Sequence, residues 1–147
     1  MNHGHSDIRI LDLAPTAGLV VKELLNLKKE EELLIIVDTE SIMPMAYALA
    51  FVASEIGSEY SISMMPSREK GYGRKPEFIN LLPKAIDKAF EGADVIVGLT
   101  RSTFAPTTAK IRQDVVFKKK KARYMSIAFR DLESFTRGGC LADHNRL

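Results

Sequence analysis

The residues able to do chemistry gather where short apolar runs give way to polar ones. LLIIV (Leu33–Val37) runs into Asp38, Thr39, Glu40 and Ser41, and DVIVG (Asp94–Gly98) leads to Thr100, Arg101, Ser102 and Thr103. YSISM (Tyr60–Met64) opens into a stretch carrying Ser67, Arg68, Lys70, Arg74 and Lys75. In an open parallel sheet, ligands collect beyond the carboxyl ends of the strands, above all where strand order reverses. The candidate binding set is therefore Asp38, Thr39, Glu40, Thr100, Arg101, Ser102 and Thr103 around one crevice. Arg101 with Ser102 and Thr103, ahead of a helix led by Pro106, would hold an anion if guanidinium and helix amides converge. The plainer alternative is that Ser102 or Thr103 shapes the turn while Thr107 caps the helix, and the residue types favour it.

Other chemistries find little support. The carboxylate pairs Asp38/Glu40 and Asp131/Glu133 could meet a metal, but strand-end and helix-start carboxylates ordinarily cap and face solvent. The histidines, His3, His5 and His144, all lie near a terminus, and no serine occupies a GxSxG elbow, so no hydrolase triad is assembled. No GxxxxGK[ST] follows a strand, and Gly71 and Gly73 lack the third glycine of a dinucleotide fingerprint. Met1, Asn2 and His3 offer an amine, amides and an imidazole suited to square-planar Cu(II) or Ni(II), although a polar tail is the simpler reading. The expectation is no catalytic residue and no metal ligand within the chain.

These positions must be held by something, and the pattern supplies it. Four β-rich runs, Leu33–Val37, Tyr60–Met64, Asp94–Gly98 and Ala122–Ile127, alternate with helical stretches, which predicts βαβ units and a mainly parallel sheet. The continuous apolar runs Leu33–Val37 and Asp94–Gly98 read as central strands, and Ala122–Ile127 reads as an edge. Helices are expected over Pro15–Asn26, Met45–Ile56, Pro83–Phe90 and Thr107–Phe117, with a further turn over Arg130–Phe135. The fold class is thus α/β, a three-layer Rossmann- or flavodoxin-like domain of about four strands. Met45–Ile56 is apolar nearly all round, so a second subunit or a further domain is expected to cover it.

The 147 residues fit one α/β domain, with residues 1–13 expected to form a flexible or loosely packed amino-terminal segment. A single cysteine, Cys140, cannot form an internal disulfide, which suits a reducing compartment and makes the cytoplasm the expected location. The longest apolar run, Ile42–Ala53, falls well short of the roughly 20 residues that span a bilayer. With 21 basic and 19 acidic side chains the chain has no strong field for nucleic acid or an anionic membrane, and neither is expected as a partner. Lys118–Lys121 with Arg123 is the one basic run; without interleaved aromatics it reads as a solvated helix end.

The order of these motifs resembles the amino-terminal part of the aminopeptidase T family of metallopeptidases, over about Ala14–Asp143. The similarity lies in VVKELLNLKKEEELLIIVDTE (Val20–Glu40), AYALAFVASEIGSEY (Ala46–Tyr60), FEGADVIVGLTRSTFAPTTAKIR (Phe90–Arg112) and RGGCLADHNRL (Arg137–Leu147). One departure is His144, where the family commonly has Tyr. The resemblance implies an α/β domain packed beside a larger carboxyl-terminal domain that carries a two-metal site and removes amino-terminal residues from peptides. None of those ligand motifs falls within this chain, so the resemblance transfers no metal or catalytic residue to it, and a divalent metal is implied only for the full-length family. It predicts a non-catalytic amino-terminal domain, inactive alone, whose partner is a carboxyl-terminal catalytic domain, and the apolar Met45–Ile56 helix left without that domain adds the expectation of a homodimer. The alternative is an autonomous module binding a small molecule or anion at the strand-end crevice.

Overall fold

The computed structural model describes residues 10–67, 82–100, 118, 122–127 and 132–136. Four strands, β1 (Glu32–Asp38), β2 (Glu59–Met65), β3 (Val95–Gly98) and β4 (Arg123–Ser126), form one sheet in the order β2-β1-β3-β4. Every pairing is parallel. The expected α/β fold with a sheet of about four strands is therefore present, and the sheet is wholly rather than mainly parallel. The placements also hold: β1 and β3 are internal and β4 is an edge.

Helices cover both faces. Helix α1 (Ile10–Gly18) runs into π-helical turns over Leu19–Leu24; α2 (Met43–Ile56) follows β1, α3 (Lys84–Ala89) precedes β3, and the short α4 (Glu133–Thr136) follows β4. Successive strand residues point to opposite faces, and the core divides accordingly. Leu33, Ile35 and Val37 of β1 join Leu13, Val21 and Leu49 on the α1/α2 side. Leu34 and Ile36 join Ile86, Phe90 and Ile96 on the α3 side. This three-layer arrangement explains why β1 reads as an unbroken apolar run: it is covered on both sides.

Local chemistry fixes the element ends. Pro44 lies in the first turn of α2, where its missing N–H costs nothing, and Gly57 ends the helix at φ 82. There the Gly57 and Ser58 amides donate to the Ser54 and Ala53 carbonyls at 3.0 Å each. The first helix departs from expectation. It starts at Ile10 rather than Pro15, leaving Pro15 inside a helix, and Leu13 is completely buried. Its last turns widen to π spacing, with the Leu25 amide donating to the Val20 carbonyl at 2.9 Å, until Asn26 at φ 48 turns the chain. Helical spacing along the sequence does not reveal that widening. The Thr16 hydroxyl donates to the Phe135 carbonyl, tying α1 to α4.

Helix α2 is less naked than its composition suggests. The sheet and α1 bury Met45, Ala48, Leu49 and Val52, while Tyr47 and Phe51 stay about half exposed. Helix α1 of the same chain supplies part of the cover expected over α2. The helix expected at Thr107–Phe117 lies outside the described residues. No described helix is long and apolar enough to cross a membrane.

The amino end of the sheet is fastened by polar contacts. Arg123 donates through Nε to the Leu25 carbonyl at 2.7 Å and through its guanidinium to the Glu31 carboxylate. That charged hydrogen bond holds the Glu31 carboxyl below its usual range, against the opposing effect of partial burial. Ser58 Oγ donates to the Glu31 carbonyl at 2.5 Å, and the Glu32 amide donates to Asp94 Oδ2 at 2.9 Å. Glu31, in the turn that precedes β1, thereby ties Ser58 ahead of β2 to Arg123 of β4, and Asp94 ahead of β3 is held to Glu32 of β1.

Candidate functional site

The carboxyl end of the sheet is built differently. Helices α2 and α3 pack on opposite faces of the sheet, and β1 is flanked by β2 on one side and β3 on the other, so strand order reverses at β1 and β3. This is the position at which parallel α/β sheets open a crevice. Register places its walls: Asp38 pairs with Met65, and Ile36 pairs with Gly98. The Leu99 amide still donates to the Ile36 carbonyl at 2.8 Å, so Thr100 emerges beside the end of β1. Asp38, Thr39, Glu40 and Thr100 of the candidate set are thus brought to one end of the molecule. Arg101, Ser102 and Thr103 lie outside the described residues.

Asp38 is buried and organises the turn after β1. Its Oδ1 accepts from the Glu40 amide at 2.8 Å and from Ser41 Oγ at 3.1 Å, while Ser41 Oγ accepts from the Asp38 amide at 2.7 Å. An aspartate bonding its own backbone two residues on is an Asx turn, and it occupies one carboxylate oxygen. Thr39 and Glu40 are exposed and reach across to β2. The Thr39 amide donates to the Met65 carbonyl at 3.1 Å, and Thr39 Oγ1 accepts from the Ser67 amide at 3.1 Å. Ser67 Oγ donates to Glu40 Oε2 at 3.3 Å. Ser67 and Thr100 are buried as well. Asp38, Thr39, Glu40, Ser41 and Ser67 are thus joined by hydrogen bonds at the carboxyl end of the sheet.

One further group belongs here that sequence reading passes over. Tyr124 of β4 pairs with Ile96, and its ring lies across Gly98. A Cβ on Gly98 would stand 2.9 Å from Tyr124 Oη. Glycine at that point lets the phenol lie along the α3 face of the sheet toward the carboxyl end. The available signal is VIVG itself, a buried run closing on a residue with no side chain, which often marks close approach by another group.

Among the described residues no three His, Cys, Asp or Glu side chains come together in a way that could hold an ion. Asp38 gives one carboxylate oxygen to its own turn.

No protein-family model matches the sequence, and no curated protein matches it. Among solved structures the chain is similar to 2,5-dihydroxypyridine dioxygenase from Pseudomonas putida KT2440, with a TM-score of 0.60 and 14% identity. The similarity covers 82% of this chain and 35% of that one, so the chain spans about a third of the protein it resembles. At this identity the likeness concerns the fold alone.

Proposed function

We propose that the chain is a non-catalytic α/β domain of the aminopeptidase T-like type, which forms one wall of a substrate cleft through the carboxyl ends of β1 and β3. The observation carrying this reading is the structural similarity, in which most of this chain matches about a third of a longer protein. The order of sequence motifs points to the same architecture. In this reading hydrolysis of a peptide's amino-terminal residue belongs to a separate domain, whose ligands supply the divalent metal. The residues described here position: Asp38 fixes the turn, Thr39 and Glu40 face the crevice, and Ser67 and Thr100 line it.

The test uses the 147-residue chain, verified by intact mass, in two assays. Amino-acid anilides are offered with Co(II), Zn(II) or Mn(II), and the expected result is no hydrolysis that a chelator abolishes. Chelator-sensitive hydrolysis by homogeneous protein overturns the non-catalytic reading. A short peptide is then titrated into isotopically labelled protein. Resonance changes at Thr39, Glu40, Ser67 and Thr100 are expected, and their absence overturns the cleft-wall role. The buried polar set at the switch point favours one second reading, an autonomous small-molecule or anion-binding module. Inorganic phosphate shifting those resonances when the peptide does not would select it.

A further inference from the structure

One atom accounts for the glycine that ends β3. Gly98 is buried in an internal strand, paired with Ile36 on one side and Ser126 on the other. Its backbone makes no demand for glycine, since among the described residues Gly57 is the glycine at positive φ. A Cβ on Gly98 would meet Tyr124 Oη at 2.9 Å, whereas Cζ and Cε2 of the same ring would stand at 3.6 and 3.7 Å, an ordinary packing distance. The phenol oxygen therefore excludes a side chain from a strand position where alanine would otherwise serve better than glycine.

Packing does not explain that oxygen. Tyr124 pairs with Ile96 and leans forward along the strands to Gly98, on the face that carries Ile36, Ile86 and Ile96. These neighbours are aliphatic and offer a hydroxyl nothing to bond. Among the described residues none shares a hydrogen bond with Tyr124 Oη. Gly98→Ala with Tyr124→Phe would fill the same space, a methyl group standing where the oxygen was. A half-buried tyrosine hydroxyl ordinarily has a partner. This one lies at the carboxyl end of β3, beside β1, where strand order reverses and the crevice opens.

We propose that Tyr124 is a substrate-binding residue of the crevice, its hydroxyl donating a hydrogen bond to a carbonyl oxygen of a bound peptide. This rests on the cleft-wall reading and extends it to the α3 side of the sheet, with Gly98 making room for the donor. A neutral acceptor suits the position better than an anion, because the carboxylates of Asp38 and Glu40 close the neighbouring turn after β1. Thr39 and Glu40 at the end of β1 and Tyr124 beside β3 then engage different units of one peptide.

The experiment titrates trialanine into isotopically labelled wild type, Tyr124→Phe and the double variant Gly98→Ala/Tyr124→Phe, following the Thr39 and Glu40 amides, and melts each protein separately. Both variants are expected to melt at or above the wild-type temperature, because no bond to a described residue is lost. Both should bind trialanine about five- to tenfold more weakly, the worth of one hydrogen bond. Unchanged affinity overturns the proposal and leaves the cleft-wall reading standing. No change at Thr39 and Glu40 of wild type overturns both. A lower melting temperature for Tyr124→Phe also overturns the proposal, since the hydroxyl is then bonded within the chain. Ring-labelled tyrosine gives a second readout in wild type: the Tyr124 Cζ resonance, identified by its loss in Tyr124→Phe, is expected to move as peptide saturates. A stationary resonance overturns the assignment.

Discussion

Strands β1 and β2 are the same length and are paired residue for residue, yet the molecule treats them in opposite ways. From Leu33 to Asp38 every residue of β1 is buried, whereas in β2 only Met65 is. Backbone hydrogen bonding does not separate them, since they share a ladder. Coverage does: β1 has a strand on either side and helices on both faces, and among the described residues β2 has one neighbouring strand and part of one helix. Position in the sheet, and not strand propensity, sets how much each side chain contributes to stability.

The sharpest break of this comparison is a matched truncation. Ile35 and Ile62 are register partners, the first fully buried and the second only partly. Ile35→Ala should cost about 2–5 kcal/mol and Ile62→Ala about 1 kcal/mol, measured by urea unfolding of each variant. Equal losses would mean that the edge is as firmly packed as the centre.

Next in size is a test of the other flank of β1. Gly98→Ala sets a methyl group against Tyr124 Oη and should cost about 1–3 kcal/mol. Adding Tyr124→Phe removes the colliding oxygen and should recover a good part of the loss, so the two changes are strongly non-additive in a thermal-unfolding cycle. Additive losses would place the strain elsewhere.

The clamp at the amino end comes third. Arg123→Ala should cost about 1–2 kcal/mol, mostly through the orphaned Leu25 carbonyl, because Arg123 is partly exposed and water screens its pairing with Glu31. The sign with pH follows from the lowered Glu31 carboxyl. Its contribution is complete above the ordinary glutamate range and fades as pH falls through the native value, so wild type and variant converge in acid. A gap independent of pH would assign the clamp to the carbonyl contact alone.

The smallest effect belongs to the edge itself. Ser61→Lys, at an exposed position of β2, should change the stability of the folded monomer by less than about 0.5 kcal/mol in chemical denaturation at low concentration. A larger loss would show that β2 is covered by more than β1 and α2.

Much of this architecture is legible from residue order. LLIIV announces a strand covered on both faces, Pro44 and Gly57 bracket a helix, and Asp38, Thr39 and Glu40 follow a strand that the pattern marks as central. Each signal is local, because apolar period, turn stereochemistry and capping act over a few residues. The first helix was harder to place: Pro15 reads as a helix start, but α1 continues back to Ile10 and buries Leu13. What closes over α2 was equally hidden, since an apolar helix does not disclose whether its cover is another helix of the chain or another molecule. Tyr124 escaped notice because its relation to Gly98 joins residues on two different strands.

The sequence by itself determined the elements, their order and the parallel α/β class, because periodicity and punctuation are written along the chain. Only the tertiary structure decided that β2 stands next to β1 at the end of the described sheet, with β3 on the other side of β1. It also decided that Asp38 would be turned into its own loop, that Ser67 would bond across to Thr39 and Glu40, and that Tyr124 would lie over Gly98. Those outcomes depend on which distant segments become neighbours, and neighbour identity is settled by the competition among all the faces that must be buried together.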